Sequence, residues 1–192
     1  DALPVFRARM RIPSDVWTVL AVLEDVNRAC EWTAHCTEMR KLHTLSAQEI
    51  VVYARMDAPW PVRDRDIVTR VRVEPEAQNL IIARIDGVDT PGTPPRPGVV
   101  RMPSMHAAYR FRSLSEQEVE VTYDVEVDPG GTLPDWLKTL VSRDLAHDTI
   151  ARLATRVTWA HAQAVYVRRA EELQKNMRNL AHARGATDED QS

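Results

Sequence analysis

The sequence predicts an α+β fold in which a curved antiparallel β-sheet wraps around one long C-terminal α-helix. Three observations carry this. Over residues 3–128 most of the chain alternates apolar and polar residues, the pattern of strands with one wet and one covered face. Past Pro134 the period changes to three and four: Leu137, Leu140, Val141, Leu145, Ile150, Leu153, Ala154 and Val157 form a stripe that excludes Arg143, Asp148, Arg152 and Arg156. Between the two, Asp128-Pro129-Gly130-Gly131-Thr132-Leu133-Pro134 ends the strands and opens the helix, because the N–H that proline lacks is not needed in a first helical turn. A twisted sheet of this size curls. Holding one long helix, it leaves an internal apolar cavity.

The elements follow in order. Residues 3–12 place Phe6, Ala8, Met10 and Ile12 on one face and Arg7, Arg9 and Arg11 on the other, which is a strand. Pro13-Ser14-Asp15 starts a helix, with Ser14 or Asp15 as its cap and Val16, Val19, Leu20 and Leu23 as its apolar face. It ends near residues 27–31, and Trp32 plugs the joint that follows. Residues 37–45 and 48–58 read as paired strands. Pro59-Trp60-Pro61 interrupts them, since two prolines do not fit a central ladder. After the cluster Arg63-Asp64-Arg65-Asp66, a strand carries Ile67, Thr69, Val71 and Val73 on one side, 74–77 turn, and 79–85 form another strand. Residues 86–98 hold four of the twelve prolines and three of the six glycines, a stiff irregular loop of the kind that serves as a lid or binding loop. Strands 99–113 and 117–128 follow, with Met105, Ala107, Tyr109 and Phe111 inward in the first and Val119, Val121, Tyr123, Val125 and Val127 inward in the second. Short turns make the sheet a meander.

At 192 residues and 44% hydrophobic composition, the chain can bury a core. A net charge of −3 without a basic block argues against nucleic acid as a partner. No apolar run approaches the ~18 residues of a membrane span, so the expectation is a soluble protein, cytoplasmic or periplasmic/secreted. The chain starts at Asp1, so it reads as trimmed or processed. Cys30 and Cys36 read as free thiols, with a short-loop disulfide as the alternative.

Three stretches resemble the START domain (the steroidogenic-acute-regulatory-related lipid-transfer family), of bacterial type, within the helix-grip or Bet v 1-like superfamily. They are Trp32 after the first helix, Ala58-Pro59-Trp60-Pro61-Val62-Arg63-Asp64-Arg65-Asp66-Ile67-Val68, and the run from Val125 through Asp128-Pro129-Gly130-Gly131 to Trp136-Leu137. The resemblance covers about residues 3–157. It implies a cavity for one lipid-like molecule, no catalysis, no cofactor, and a lid made by the Pro-rich loop. Cholesterol-carrying relatives place a buried acid–Arg pair where Val52 and Val71 stand here, which points to a more apolar ligand or a polar anchor elsewhere.

The domain reading is therefore 1–157 as the lipid-binding unit, 158–184 as a helical extension continuous with the last helix, and 185–192 as a disordered tail. In the extension Trp159, Tyr166, Ala170, Leu173, Met177 and Leu180 keep a three-four spacing that suits packing on its own domain, a second copy or a membrane. The candidate ligand-binding residues are Val52, Met56, Thr69, Val71, Met102, Met105, Tyr109, Val121, Tyr123 and Leu145. Arg84 joins them as a polar anchor if its alternation with Leu80 and Ile82 turns it inward; a register slipped by one leaves it outside. Met56, Met102 and Met105 suit an adaptable wall, and the two tyrosines could offer hydroxyls or simply fill space. Arg65 and Asp66 read first as a structural ion pair and second as head-group ligands. Asp144, His147 and Asp148 have metal-ligand spacing without a supporting cluster, so a solvated helix face is the reading.

These residues predict non-catalytic transport or sensing of a sterol, isoprenoid or carotenoid, fatty acid or phospholipid. Transient contact with a membrane surface and a monomer or weak dimer go with it. The alternatives are an enzyme resembling polyketide aromatase/cyclases, with a Tyr, Arg or His moving protons, and an interaction module built on the C-terminal helix.

Overall fold

A computed structural model describes residues 3–90, 92–133 and 135–189, without the side chains of 135–142, 144 and 180–189. The strands are β1 (Phe6–Ile12), β2 (Cys36–Ser46), β3 (Glu49–Met56), β4 (Arg65–Ala77), β5 (Leu80–Gly87), β6 (Val100–Arg101), β7 (Ser104–Ser115) and β8 (Glu118–Asp128). The helices are α1 (Val16–Glu24), a 3₁₀ helix (Val26–Glu31), α2 (Asp135–Ala160) and α3 (Ala164–Glu189). The sheet order is β1-β8-β7-β5-β4-β3-β2, antiparallel throughout, with β6 alone paired parallel on β4. This is the expected curved sheet and C-terminal helix, with α3 added.

On β1, β3, β4, β7 and β8 the inner faces are those the alternation predicts. Phe6, Ala8, Met10 and Ile12 oppose Val125, Tyr123, Val121 and Val119 across β1 and β8, and α2 lies over this half with Ile150, Leu153 and Val157 buried. Leu137, Leu140, Val141 and Trp136 lie outside the described side chains. Asp15 caps α1 by accepting from the Thr18 N–H at 2.9 Å.

Several boundaries differ from the sequence reading. β4 runs through Pro75 with a bulge between Pro75 and Ala77, so the turn moves to residues 78–79. Residues 99–113 split into β6 and β7 at Met102-Pro103, because proline has no ladder donor. Cys30 and Cys36 are disulfide-bonded, not free, with Cα atoms 4.8 Å apart. The 3₁₀ helix brings the two ends of this short loop together.

The extension is not continuous with α2. Residues 161–163 form a tight turn in which the Gln163 N–H donates to the Ala160 carbonyl at 2.9 Å. α3 then packs against α1, burying Tyr166 and Ala170. Its backbone is helical to Glu189, into the stretch expected to be disordered; residues 190–192 lie outside the described residues.

The described residues of the Pro-rich loop, expected as a lid, pack against the outer face of the sheet. Its Val88 joins Val51, Tyr53 and Val68 on the convex face of the sheet. Arg96 binds Glu38 at 2.7 and 3.0 Å and covers the Tyr53 ring at 4.8 Å. Arg101 donates to the fully buried Asp66 at 2.7 and 3.3 Å, and the Tyr53 hydroxyl donates to the same carboxylate at 3.1 Å. Asp66 is thus half of a structural ion pair.

Candidate functional site

α2 covers the β1–β8 half of the sheet. The β3–β5 half curls away from it and leaves a cavity of about 210 Å³. β3 supplies Ile50, Val52, Ala54 and Met56 to its wall, β4 supplies Ile67, Thr69, Val71 and Val73, and β5 supplies Ala83 and Ile85. Met105, Tyr109 and Tyr123 close its floor. Leu20 and Leu23 of α1, Trp32, Leu145 of α2, and Leu173 and Met177 of α3 form the opposite wall. A second cavity of about 70 Å³ lies beyond Met56, Met105 and Leu145, which line both. It is bounded by Pro59, Val62, Arg65, Met102, Pro129 and Leu133.

Among the described residues, polar side chains in the larger cavity are few: Glu24, Thr33, Gln48, Thr69, two tyrosine hydroxyls and the Trp32 indole. The Tyr109 and Tyr123 rings stack at 4.2 Å between centroids. Burial pushes both hydroxyls well above the usual tyrosine range, and each also acts on the other. Both therefore stay protonated across ordinary pH and can donate, but they are poor bases. Arg65 is buried and donates to the carbonyls of Pro129 at 3.2 Å, Gly130 at 3.3 Å and Arg63. Desolvation lowers its pKa, opposed by the charge of Asp64. It ties β4 to the turn that opens α2. Gly130 and Gly131 hold that turn with φ of 62° and 71°.

Of the sequence candidates, Val52, Met56, Thr69, Val71, Met105, Tyr109, Tyr123 and Leu145 line the main cavity, and Met102 lines the second. Val121 does not: it is fully buried in the core, between Met10 of β1 and Phe111 of β7. Arg84 does not either. Ala83 and Ile85 take the inward positions, so Arg84 faces out, opposite Arg72 on β4 and 3.5 Å from Glu76. The apolar Leu80 and Ile82 had suggested the other register. His147 is exposed beside Asp148, and the Asp144 side chain lies outside the described ones. No group of three potential ligands for a metal occurs among the described residues. Sequence reasoning missed Gln48, Leu20, Leu23, Leu173 and Met177 as wall residues. The helical spacing of Leu173 and Met177 was visible, but not the surface they cover.

A curved antiparallel sheet closed by helices over an apolar cavity is a fold of the helix-grip kind. The chain belongs to the START domain family, whose model matches residues 1–170. It is 33% identical over 148 residues to an uncharacterised protein of Pseudomonas aeruginosa, covering 77% of this chain and 72% of that one. The crystal structure of human STARD10 superposes with a TM-score of 0.74 at 25% identity, covering 81% of this chain and 64% of that one. The chain spans 46% of the curated human and mouse START domain-containing protein 10. A STAR-related lipid transfer protein fragment from Xanthomonas axonopodis matches with a TM-score of 0.72 at 28% identity, covering 81% and 86%. An aromatase/cyclase from Streptomyces shares the fold at 13% identity with a TM-score of 0.51.

Proposed function

We propose that this protein binds one hydrophobic lipid-like molecule in the cavity between sheet and helices and carries or senses it without chemical change. The observation that carries this is the lining. Apolar side chains dominate it, and a ligand lying against them would be held by burial, at ~25 cal/mol per Å² of apolar surface. The binding residues are the eight candidates on the wall, with Met102 at the second cavity. Burial keeps both tyrosine hydroxyls protonated, so they can donate hydrogen bonds to a ligand.

Trp60 supports a membrane-facing mouth. It is 92% exposed between Pro59 and Pro61, and Pro59 borders the second cavity. An exposed indole beside a lipid site suits the membrane interface. No helix among the described residues is long and apolar enough to cross a membrane, so such contact would be peripheral.

Native mass spectrometry of protein purified from its source, followed by organic extraction, tests the reading. A stoichiometric apolar molecule is expected. A protein that is empty and takes up no sterol, isoprenoid, fatty acid or phospholipid would overturn it.

A further inference from the structure

His35 and Asp57 line the second cavity, and their side chains stay 44% and 57% exposed. They face each other just past the paired ends of β2 and β3. Cys36 pairs with Met56, and the Asp57 N–H donates to the His35 carbonyl at 2.9 Å. The two side chains meet loosely. His35 Nδ1 lies 3.4 Å from Asp57 Oδ1, past the ~3.2 Å reach of an ordinary N–H···O bond. The like pair of His106 and Asp86, on β7 and β5, closes to 2.8 Å. Imidazole and carboxylate at the rim therefore keep capacity for a third group.

Among the described residues His35 is also the only one besides glycines with a positive φ, 58°. Such a backbone costs energy in a residue with a side chain, and it persists where the neighbours impose it. They do so here. Ala34 is fully buried and its N–H donates to Thr149 of α2 at 3.2 Å, while Cys36 is bonded to Cys30. The fold thus holds the imidazole at the rim. Beside it the two cavities meet, since Met56, Met105 and Leu145 line both. Methionine side chains are unbranched and adapt their shape, so one ligand can run from the main cavity to the rim. Polar side chains described in the main cavity are less available. Glu24 accepts from Arg169 at 2.5 and 2.6 Å, Thr33 and Thr69 are buried, and Nε2 of Gln48 is closed off. At the rim, one ligand hydroxyl can donate to the Asp57 carboxylate and accept from a His35 ring N–H at once.

We propose that the two cavities form one site for an amphipathic molecule, with its apolar body in the main cavity and a hydroxyl-bearing end held at the rim by His35 and Asp57. This rests on the carrier reading above. The test is displacement of Nile red from the full chain by 1-tetradecanol and by tetradecane. Asp57→Ala should weaken the alcohol about tenfold, the value of a hydrogen bond to a charged group. His35→Gly, which suits the left-handed backbone, should weaken it about threefold. Neither should change the alkane. An alcohol affinity unmoved by both substitutions, or lowered by Tyr109→Phe instead, puts the polar end elsewhere and overturns the assignment. An equal loss for alcohol and alkane also overturns it, because the pair would then only support the wall. If neither Nile red nor the alkane binds the unaltered protein, the carrier reading itself has failed.

Discussion

Gly130 shows how one residue sets the geometry of the site. Its φ is 62°, and a Cβ there would lie 2.9 Å from Cδ of Pro103. Gly130→Ala should cost about 1–3 kcal/mol, read from urea unfolding, because it combines left-handed backbone with a clash. Asp124 makes a prediction about pH. It lies under Arg7 of β1, at 2.5 and 3.0 Å, and pairs with Arg110 of β7, so it joins three strands on the outer face. The hydrogen bond from Arg7, aided by Arg110 and opposed by burial, holds its pKa below the ordinary 3.8. A depressed carboxylate stabilises the fold above its unfolded pKa, and that share is lost as pH falls from 3.8 through the lower folded value. Stability curves of the protein and of Asp124→Asn should therefore converge in that acid window. Curves that stay parallel there would deny Asp124 this role.

At the scale of elements, α3 is a wall of the domain. Tyr166 and Ala170 are buried, and the Tyr166 hydroxyl donates to Asp25 at 2.7 Å while accepting from Arg156 at 3.0 Å. Deleting residues 164–192 should cost about 3–6 kcal/mol, from loss of Tyr166 and the partly buried Leu173 and Met177. It should also speed ligand loss. A truncated chain of unchanged stability would return α3 to the role of a partner helix. The disulfide is the other device at this scale. It closes a loop with a sequence separation of 6, and Cys30→Ser with Cys36→Ser should lower stability by about 2 kcal/mol.

The whole molecule has two faces with different tasks. The Pro-rich loop packs on the convex face through Val88 and Arg96, and the apolar cavity lies on the concave one. Arg96→Ala should leave ligand exchange rates unchanged, as a fluorescent lipid would report, whereas a lid would have let exchange accelerate. Met105→Trp should fill the passage between the cavities and stop ligand loading in a folded protein, while Val121→Trp should unfold it, since Val121 has no cavity to expand into. Trp60→Ala should keep the stability and slow transfer from vesicles.

The sequence by itself determined most of the strands and their inner faces, the capped first helix, the Asp-Pro-Gly-Gly turn and part of the cavity wall. These are local: a period of two decides which side chains share a face, and proline and glycine mark where a ladder or helix can begin. Tertiary structure alone decided which apolar face is covered and which is left open. Val121 and Tyr123 share the inner face of β8, yet only Tyr123 lines the cavity, while Val121 is fully covered by the core packed on that face. Arg84 could be read in either register until Ala83 and Ile85 were seen to point inward. The Pro-rich loop packs outside because its Arg96 finds Glu38 there, 58 positions away, and its Thr93 carbonyl accepts from Arg101 of β6, which pairs with Asp66, 35 positions away. Pairings over such separations depend on the closed chain, and no local pattern records them.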